Sequence, residues 1–190
     1  MNTISAIILA AGKSTRMGQQ KMLMPWGETT VLGTVIQTLR AAEIEDITLV
    51  TNAEIAARMN NTDVRISENN NGEMLVSLQV GLQAQNTTAE ATLICLGDQP
   101  QIEEGSVRSV CEAFRKSRST LVVPSYQMRR GHPWLAARSV WGEILTTQGN
   151  SMREFLSGHA NQIEYVNLDT ATILQDLDTP DDYLKYKPRM

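Results

Sequence analysis

At 190 residues, 42% apolar and 20% charged, the sequence has the length and composition of one globular domain with a sizeable core, which excludes disordered, collagenous and membrane-spanning classes. Its formal net charge of −4 argues against a general nucleic-acid binder, because phosphate contacts over a continuous face need an excess of Lys and Arg. Any polyanion has to be met by a local cluster.

The first apolar run, residues 4–9, reads as a strand, and the stretch 6–11 is too short for a secretory core or a bilayer span and has no basic residue ahead of it. A cytoplasmic protein without membrane contact is expected. Further β-branched runs follow at 47–51, 64–66, 92–96 and 120–124. Between them, apolar residues recur three and four positions apart over 31–42, 75–85 and 103–116, the period of helices with one buried face. This alternation predicts an α/β fold in a single domain: a mostly parallel mixed sheet with helices on both faces, since parallel neighbours need crossover connections. Ligands then belong at the carboxyl ends of the strands.

After Pro124 the alternation gives way to a Gly/Pro/Arg-rich stretch, two short helical patterns and strand-like runs at 163–168 and 172–176. Two helix starts are legible there. Ser151 with Glu154, and Thr179 with Pro180 and Asp182, have the composition of N-caps with an acidic third residue. The expected organisation is one domain over 1–190, in two halves, residues 1–124 and residues 125–190. Cys95 and Cys111 are too far apart for a CxxC unit and too few for a disulfide framework, so they read as core residues of a reducing compartment. Met17, Met22, Met24 and Trp26 read as packing residues, and His159 as a surface residue.

The densest chemical signal follows the first strand: Leu9-Ala10-Ala11-Gly12-Lys13-Ser14-Thr15-Arg16-Met17-Gly18, with Lys21 close behind. Lys13, Arg16 and Lys21 precede the first carboxylate of the chain, Glu28. Small residues let backbone N–H groups close around phosphate oxygens among these cations. It is not a P-loop, which would need glycine where Ile7 stands, and no G-x-G-x-x-G occurs. The second signal is Gly97-Asp98-Gln99-Pro100 at the end of a strand, where a carboxylate can hold Mg²⁺ or cap the helix ahead of Glu103. The third is Asp176-Leu177-Asp178-Thr179-Pro180-Asp181-Asp182, whose first two aspartates would share one face of an extended strand, or else serve the following cap.

LAAGKSTRMGQQK resembles the LAAGxSxRMGxxK signature of the MobA-like and MocA-like nucleotidyltransferases, closest to the molybdenum cofactor cytidylyltransferases. The resemblance runs from Ile7 to Tyr183 with its elements in order, through GDQP, Gly131-His132-Pro133, Gly149-Asn150-Ser151-Met152-Arg153 and the DLDTPDD stretch. It implies a Rossmann-like nucleotidyltransferase fold and transfer of CMP from CTP to the terminal phosphate of molybdopterin, with release of pyrophosphate. It also implies that Gly12, Arg16 and Lys21 handle the triphosphate, together with Leu9, Ala10, Ala11, Lys13, Ser14, Gly72, Ser77 and Gly97 around the nucleotide. Asp98 and Asp178, or Asp176 in its place, would hold Mg²⁺; Arg130, His132 and Arg153 would hold the acceptor. Trp134 reads most simply as a packing residue, or, because it follows the Gly131-His132-Pro133 element, as lining a pocket for a flat ring. The expected partners are CTP, a molybdopterin-type acceptor and a recipient molybdoenzyme or its chaperone. Alanine at position 11, where guanylyl members carry a second glycine, narrows the base pocket towards a pyrimidine. A guanylyltransferase, a sugar-phosphate nucleotidyltransferase and a non-catalytic cofactor carrier are the alternatives.

Overall fold

The computed structural model describes residues 3–12, 14–59, 63–69, 73–85, 88–148 and 151–188. Strand and helix alternate through its first part: β1 (Ile4–Ala10), the small hairpin β2 (Pro25–Trp26) and β3 (Thr29–Thr30), α1 (Val31–Ala41), β4 (Ile47–Thr51), α2 (Ala53–Arg58), β5 (Arg65–Glu68), α3 (Met74–Ala84), β6 (Ala91–Leu96) and α4 (Glu104–Ser117). The rest comprises β7 (Leu121–Tyr126), β8 (Arg129–Arg130), β9 (Trp134–Ala137), α5 (Arg138–Thr146), α6 (Met152–Gly158), β10 (Ile163–Asn167) and α7 (Pro180–Tyr186). The main sheet runs β10-β7-β9-β6-β1-β4-β5, with β8 paired to β7. The α/β expectation therefore holds, with every predicted helix and all but one predicted strand found within a few residues of its expected limits.

Burial on both faces explains the β-branched composition of the central strands. Along β1, Ala6, Ile8 and Ala10 face one layer while Ile7 and Leu9 face the other. The first layer receives α1 through Leu32, Val35 and Leu39, and α4 through Val107, Val110, Cys111 and Phe114. Those α4 residues recur at the spacing of one helical face, which is why the helix was legible. The opposite layer receives α3 through Leu78 and Leu82, α5 through Val140, Trp141 and Ile144, and α6 through Met152 and Phe155. Both cysteines are buried in the first layer, where loss of water pushes the Cys111 thiol up to about 11 and the Cys95 thiol higher still.

One predicted strand is absent, and one strand inside the sheet was not predicted. β9 was not anticipated, yet it lies antiparallel between β6 and β7 at the centre of the sheet. Its sequence, Trp-Leu-Ala-Ala, has no β-branched residue and is too short to show a period; small Ala136 and Ala137 pair with Thr92 and Ala91 in its crowded position. Conversely, residues 172–176 form no strand: a tight helical turn covers Ala171–Leu174 and the chain beyond is irregular. Ile173 is wholly buried, and its carbonyl accepts the His132 backbone N–H, so this backbone pairs with a loop rather than a strand edge. His159 is also more than a surface residue. Its ring stacks on Phe155 and bonds Glu143 of α5, fastening the end of α6.

A third apolar cluster determines where the two ends of the chain meet. Met17, Met24, Trp26 and Val31 from the amino-terminal segment pack with Leu177 and Tyr183. The Tyr183 hydroxyl donates to the Pro25 carbonyl at 2.6 Å, and its ring lies 5.9 Å from that of Trp26. The predicted caps of α6 and α7 are both complete capping boxes, and the Thr179 box fixes the start of α7 directly after Asp178.

Candidate active site

The loop after β1 and the loop after β6 meet because their strands are parallel neighbours in register, Leu9 opposite Leu96. The Gly97 N–H donates to the Leu9 carbonyl at 3.0 Å. A β-carbon at Gly97 would lie 2.9 Å from the Ala10 methyl and 3.3 Å from the Leu9 oxygen, so this approach requires glycine. Asp98 is thereby delivered beside the end of β1.

Within the first loop, Ser14 takes a left-handed conformation and its hydroxyl donates to Gln20 Oε1 at 2.8 Å while accepting the Lys21 N–H at 3.2 Å. Ser14, expected near the nucleotide, is thus engaged in shaping the loop, and it orients the lysine. Lys21 Nζ lies 2.6 Å from Asp98 Oδ2 and 3.4 Å from Asp178 Oδ1, with only 11% of its side chain exposed. Arg16, far more exposed, lies 3.3 Å from Asp178 Oδ2. Arg16, Lys21, Asp98 and Asp178 therefore form one charged cluster, although the aspartates lie far along the chain from the cations. Lys13 and Gly72 fall outside the described residues, as do Gly149 and Asn150.

Asp98 and Asp178 converge because the intervening chain is clamped from three sides. The Leu177 N–H donates to the Asp98 carbonyl at 3.0 Å, Leu177 itself sits in the third apolar cluster, and Gln99 Nε2 donates to Asp176 Oδ1 at 2.5 Å. Asp176 and Asp178 do not share a strand face as expected; an irregular segment carries them on either side of buried Leu177. Desolvation raises the Asp176 carboxyl above its ordinary range, as do the nearby charges of Asp98 and Asp178; the Gln99 hydrogen bond and Lys21 oppose this. The crowding of negative charge around Lys21 is the electrostatic signature of the cluster.

Next to it opens a cavity of about 1130 Å³, whose walls include Gln99, Asp176, Arg130, His132, Trp134 and Arg153. The three predicted acceptor residues, Arg130, His132 and Arg153, thus share one cavity. Arg130 is held by the Tyr165 hydroxyl at 2.9 Å and lies over that ring. Burial lowers the His132 imidazole to about 4, so near neutral pH it acts as an uncharged hydrogen-bonding group. Gly131 is required where it stands, since a β-carbon would come within 2.5 Å of the Ile173 carbonyl. Trp134 is almost wholly buried and contributes an edge of wall rather than an open platform.

Ala10 and Ala11 are buried at the β1 exit, and Gly12 is exposed with open space where a side chain would project. Ser77 is also interior, its hydroxyl accepting from Asn69 Nδ2 at 2.9 Å and joining the end of β5 to α3. The reading from sequence missed Gln99, although it stands inside a motif that drew attention for its aspartate. It also missed the pairing of Trp26 with Tyr183, for which a single sequence carries no signal.

Residues 6–163 match the family described as the MobA-like NTP transferase domain. The chain is 30% identical, over its whole length and 98% of the relative, to the molybdenum cofactor cytidylyltransferase of Escherichia coli K12. Among solved structures it is similar to Rv0371c of Mycobacterium tuberculosis H37Rv, with 26% identity, 96% of each chain covered and a TM-score of 0.84. A manganese complex of Rv0371c aligns with 28% identity over 96% of each chain and a TM-score of 0.79. With the charged cluster at the β1 and β6 exits and a cavity beside it, these matches show that the chain belongs to the MobA-like NTP transferase family and is a nucleotidyltransferase.

Proposed function

We propose that this enzyme transfers CMP from CTP to the terminal phosphate of a molybdopterin-type acceptor, releasing pyrophosphate, with Mg²⁺ at Asp98 and Asp178. The observation that carries the reading is the convergence of Lys21 and Arg16 on those two carboxylates at the edge of a large cavity. Mg²⁺ is typically held by one or two carboxylates, with phosphate oxygens and water completing its shell. The donor set fits: one oxygen of Asp98 and one of Asp178 already approach a single cation, the Lys21 ammonium. Among the described residues no group of three or more His, Cys, Asp or Glu is placed to hold a metal, so the triphosphate is expected to supply further ligands.

A phosphate monoester reaches the site largely dianionic, its second pKa being near ~6, so no side-chain base is essential. The barrier is the approach of one anion to another. Mg²⁺ supplies charge that neutralises the triphosphate oxygens and the departing pyrophosphate. Lys21 and Arg16, with Lys13 in the same loop, place further positive charge on the triphosphate, and the backbone around Gly12 closes on it. Gly12 has no packing partner that forbids a side chain, which agrees with a ligand needing that space. Ala11, buried at the β1 exit, narrows the base site towards a pyrimidine. Leu9, Ala10, Ser77 and Gly97 support its walls, so residues 1–124 form the nucleotide side and residues 125–190 most of the acceptor side.

The cavity, about 1130 Å³, has room for a fused-ring acceptor. Arg153 and Arg130 provide positive charge at its rim and His132 a neutral donor within it. The test is pyrophosphate release with each of the four triphosphates, Mg²⁺, and either molybdopterin or common sugar phosphates. Release with CTP and the pterin alone is expected. Preference for GTP would make it a guanylyltransferase, release with a sugar phosphate would reassign the acceptor, and no release with intact cofactor binding in Asp98→Ala would indicate a carrier.

A further inference from the structure

We infer that Lys21 is a built-in counter-ion that keeps a free divalent cation off the carboxylates, so that the site takes its metal as a complex with the triphosphate. The inference rests on the reading that Asp98 holds that metal. Lys21 Nζ is 2.6 Å from Asp98 Oδ2 and 3.4 Å from Asp178 Oδ1, and the side chains of Lys21 and Asp98 are only 11% and 16% exposed. An ion pair this sheltered is poorly screened by salt, unlike the exposed Arg16–Asp178 pair. Asp98 Oδ2 cannot keep an ammonium at hydrogen-bond distance and accept a divalent cation on the same side without bringing two positive charges together. A free metal ion on that oxygen must therefore displace Lys21 and leave its sheltered ammonium close to a divalent cation, which is costly.

A metal–triphosphate complex removes that penalty. It brings a cation for Asp98 and Asp178 and phosphate oxygens for the lysine at the same moment. The exchange needs little backbone change, because the Lys21 N–H is tied to Ser14 Oγ at 3.2 Å while the long side chain beyond it can swing. Gln99 and the Leu177 N–H keep the acidic segment in place from the other side.

The test is Mn²⁺ binding to nucleotide-free protein, read from the free-ion electron paramagnetic resonance signal. Lys21→Met should bind Mn²⁺ about tenfold or more tightly than the natural protein, the scale of a typical coupling between linked ligands. Lys21→Arg, which keeps the charge, should remain near the natural value, and adding Asp98→Asn to Lys21→Met should abolish the gain. If Lys21→Met does not fold by thermal melting, Lys21→Gln takes its place with the same expectation. Equal or weaker Mn²⁺ binding in the neutral variant, or an equal gain in Lys21→Arg, overturns the counter-ion role. Mn²⁺ binding that ignores Asp98→Asn in every background refutes the metal site itself, a different failure.

Discussion

The proposed nucleotide side and the proposed acceptor side of this enzyme are built by different means. At the β1 and β6 exits, charges lie within hydrogen-bond distance of one another and rest on a small apolar cluster made from both ends of the chain. The proposed acceptor side is a wide cavity whose arginines stand at the rim, one braced by Tyr165, with a neutral histidine inside. The contrast separates two electrostatic tasks. Triphosphate chemistry needs dense, preorganised charge, whereas a large ring system needs volume and a few orienting groups.

The difference can be broken most severely from the dense side. Asp98→Ala should lower turnover about a hundredfold or more, as loss of a preorganised electrostatic contact does; steady-state pyrophosphate release measures it. Leu177→Ala attacks the same cluster from beneath. It should cost about 2–5 kcal/mol of stability by leaving a cavity where the side chain is now wholly buried, and denaturant unfolding gives the value. Turnover should fall as well, because Asp178 loses its anchor.

The acceptor side should respond more mildly and differently. Arg153→Ala is expected to raise the acceptor KM about tenfold, the value of roughly one charged hydrogen bond, with the CTP KM unchanged. An equal rise in both constants would erase the proposed division between the two regions. The smallest effect concerns pH. Burial lowers the His132 ring to about 4 from an ordinary value of 6.5, so the unfolded chain takes up the proton first. The stability associated with neutral His132 is therefore complete above 6.5 and is lost as pH falls towards 4. His132→Gln should flatten that part of the stability curve, measured as urea midpoints at successive pH values.

The same contrast explains what a single sequence could reveal. Strands β1, β4 and β6 were legible because each is a short β-branched run buried on both faces, and α4 because its apolar residues repeat on one face. Arg16, Lys21 and Asp98 stood out because small residues and charges crowd at strand exits. The second carboxylate beside Lys21 did not follow from periodicity. Asp178 reaches the lysine because Leu177 and Tyr183 pack on Met17 and Trp26 and the Leu177 N–H bonds the Asp98 carbonyl, contacts between distant segments. β9 was hidden because its alanines are chosen for tight packing between two strands rather than for strand propensity. Gln99 was hidden by its neighbour: its role lies in bonding Asp176, a contact that neither residue's surroundings in sequence announces.

A crystal structure with Mn²⁺ and a non-hydrolysable CTP analogue, read by the anomalous signal of manganese, tests most directly whether Lys21, Asp98 and Asp178 enclose a metal–triphosphate complex. A single strong peak bonded to Asp98 and Asp178 is expected, with the triphosphate between it and residues 10–21 and the Lys21 ammonium turned onto a phosphate oxygen. A triphosphate seated elsewhere, or manganese bound away from Asp98 while Lys21 keeps its carboxylate, would contradict that arrangement.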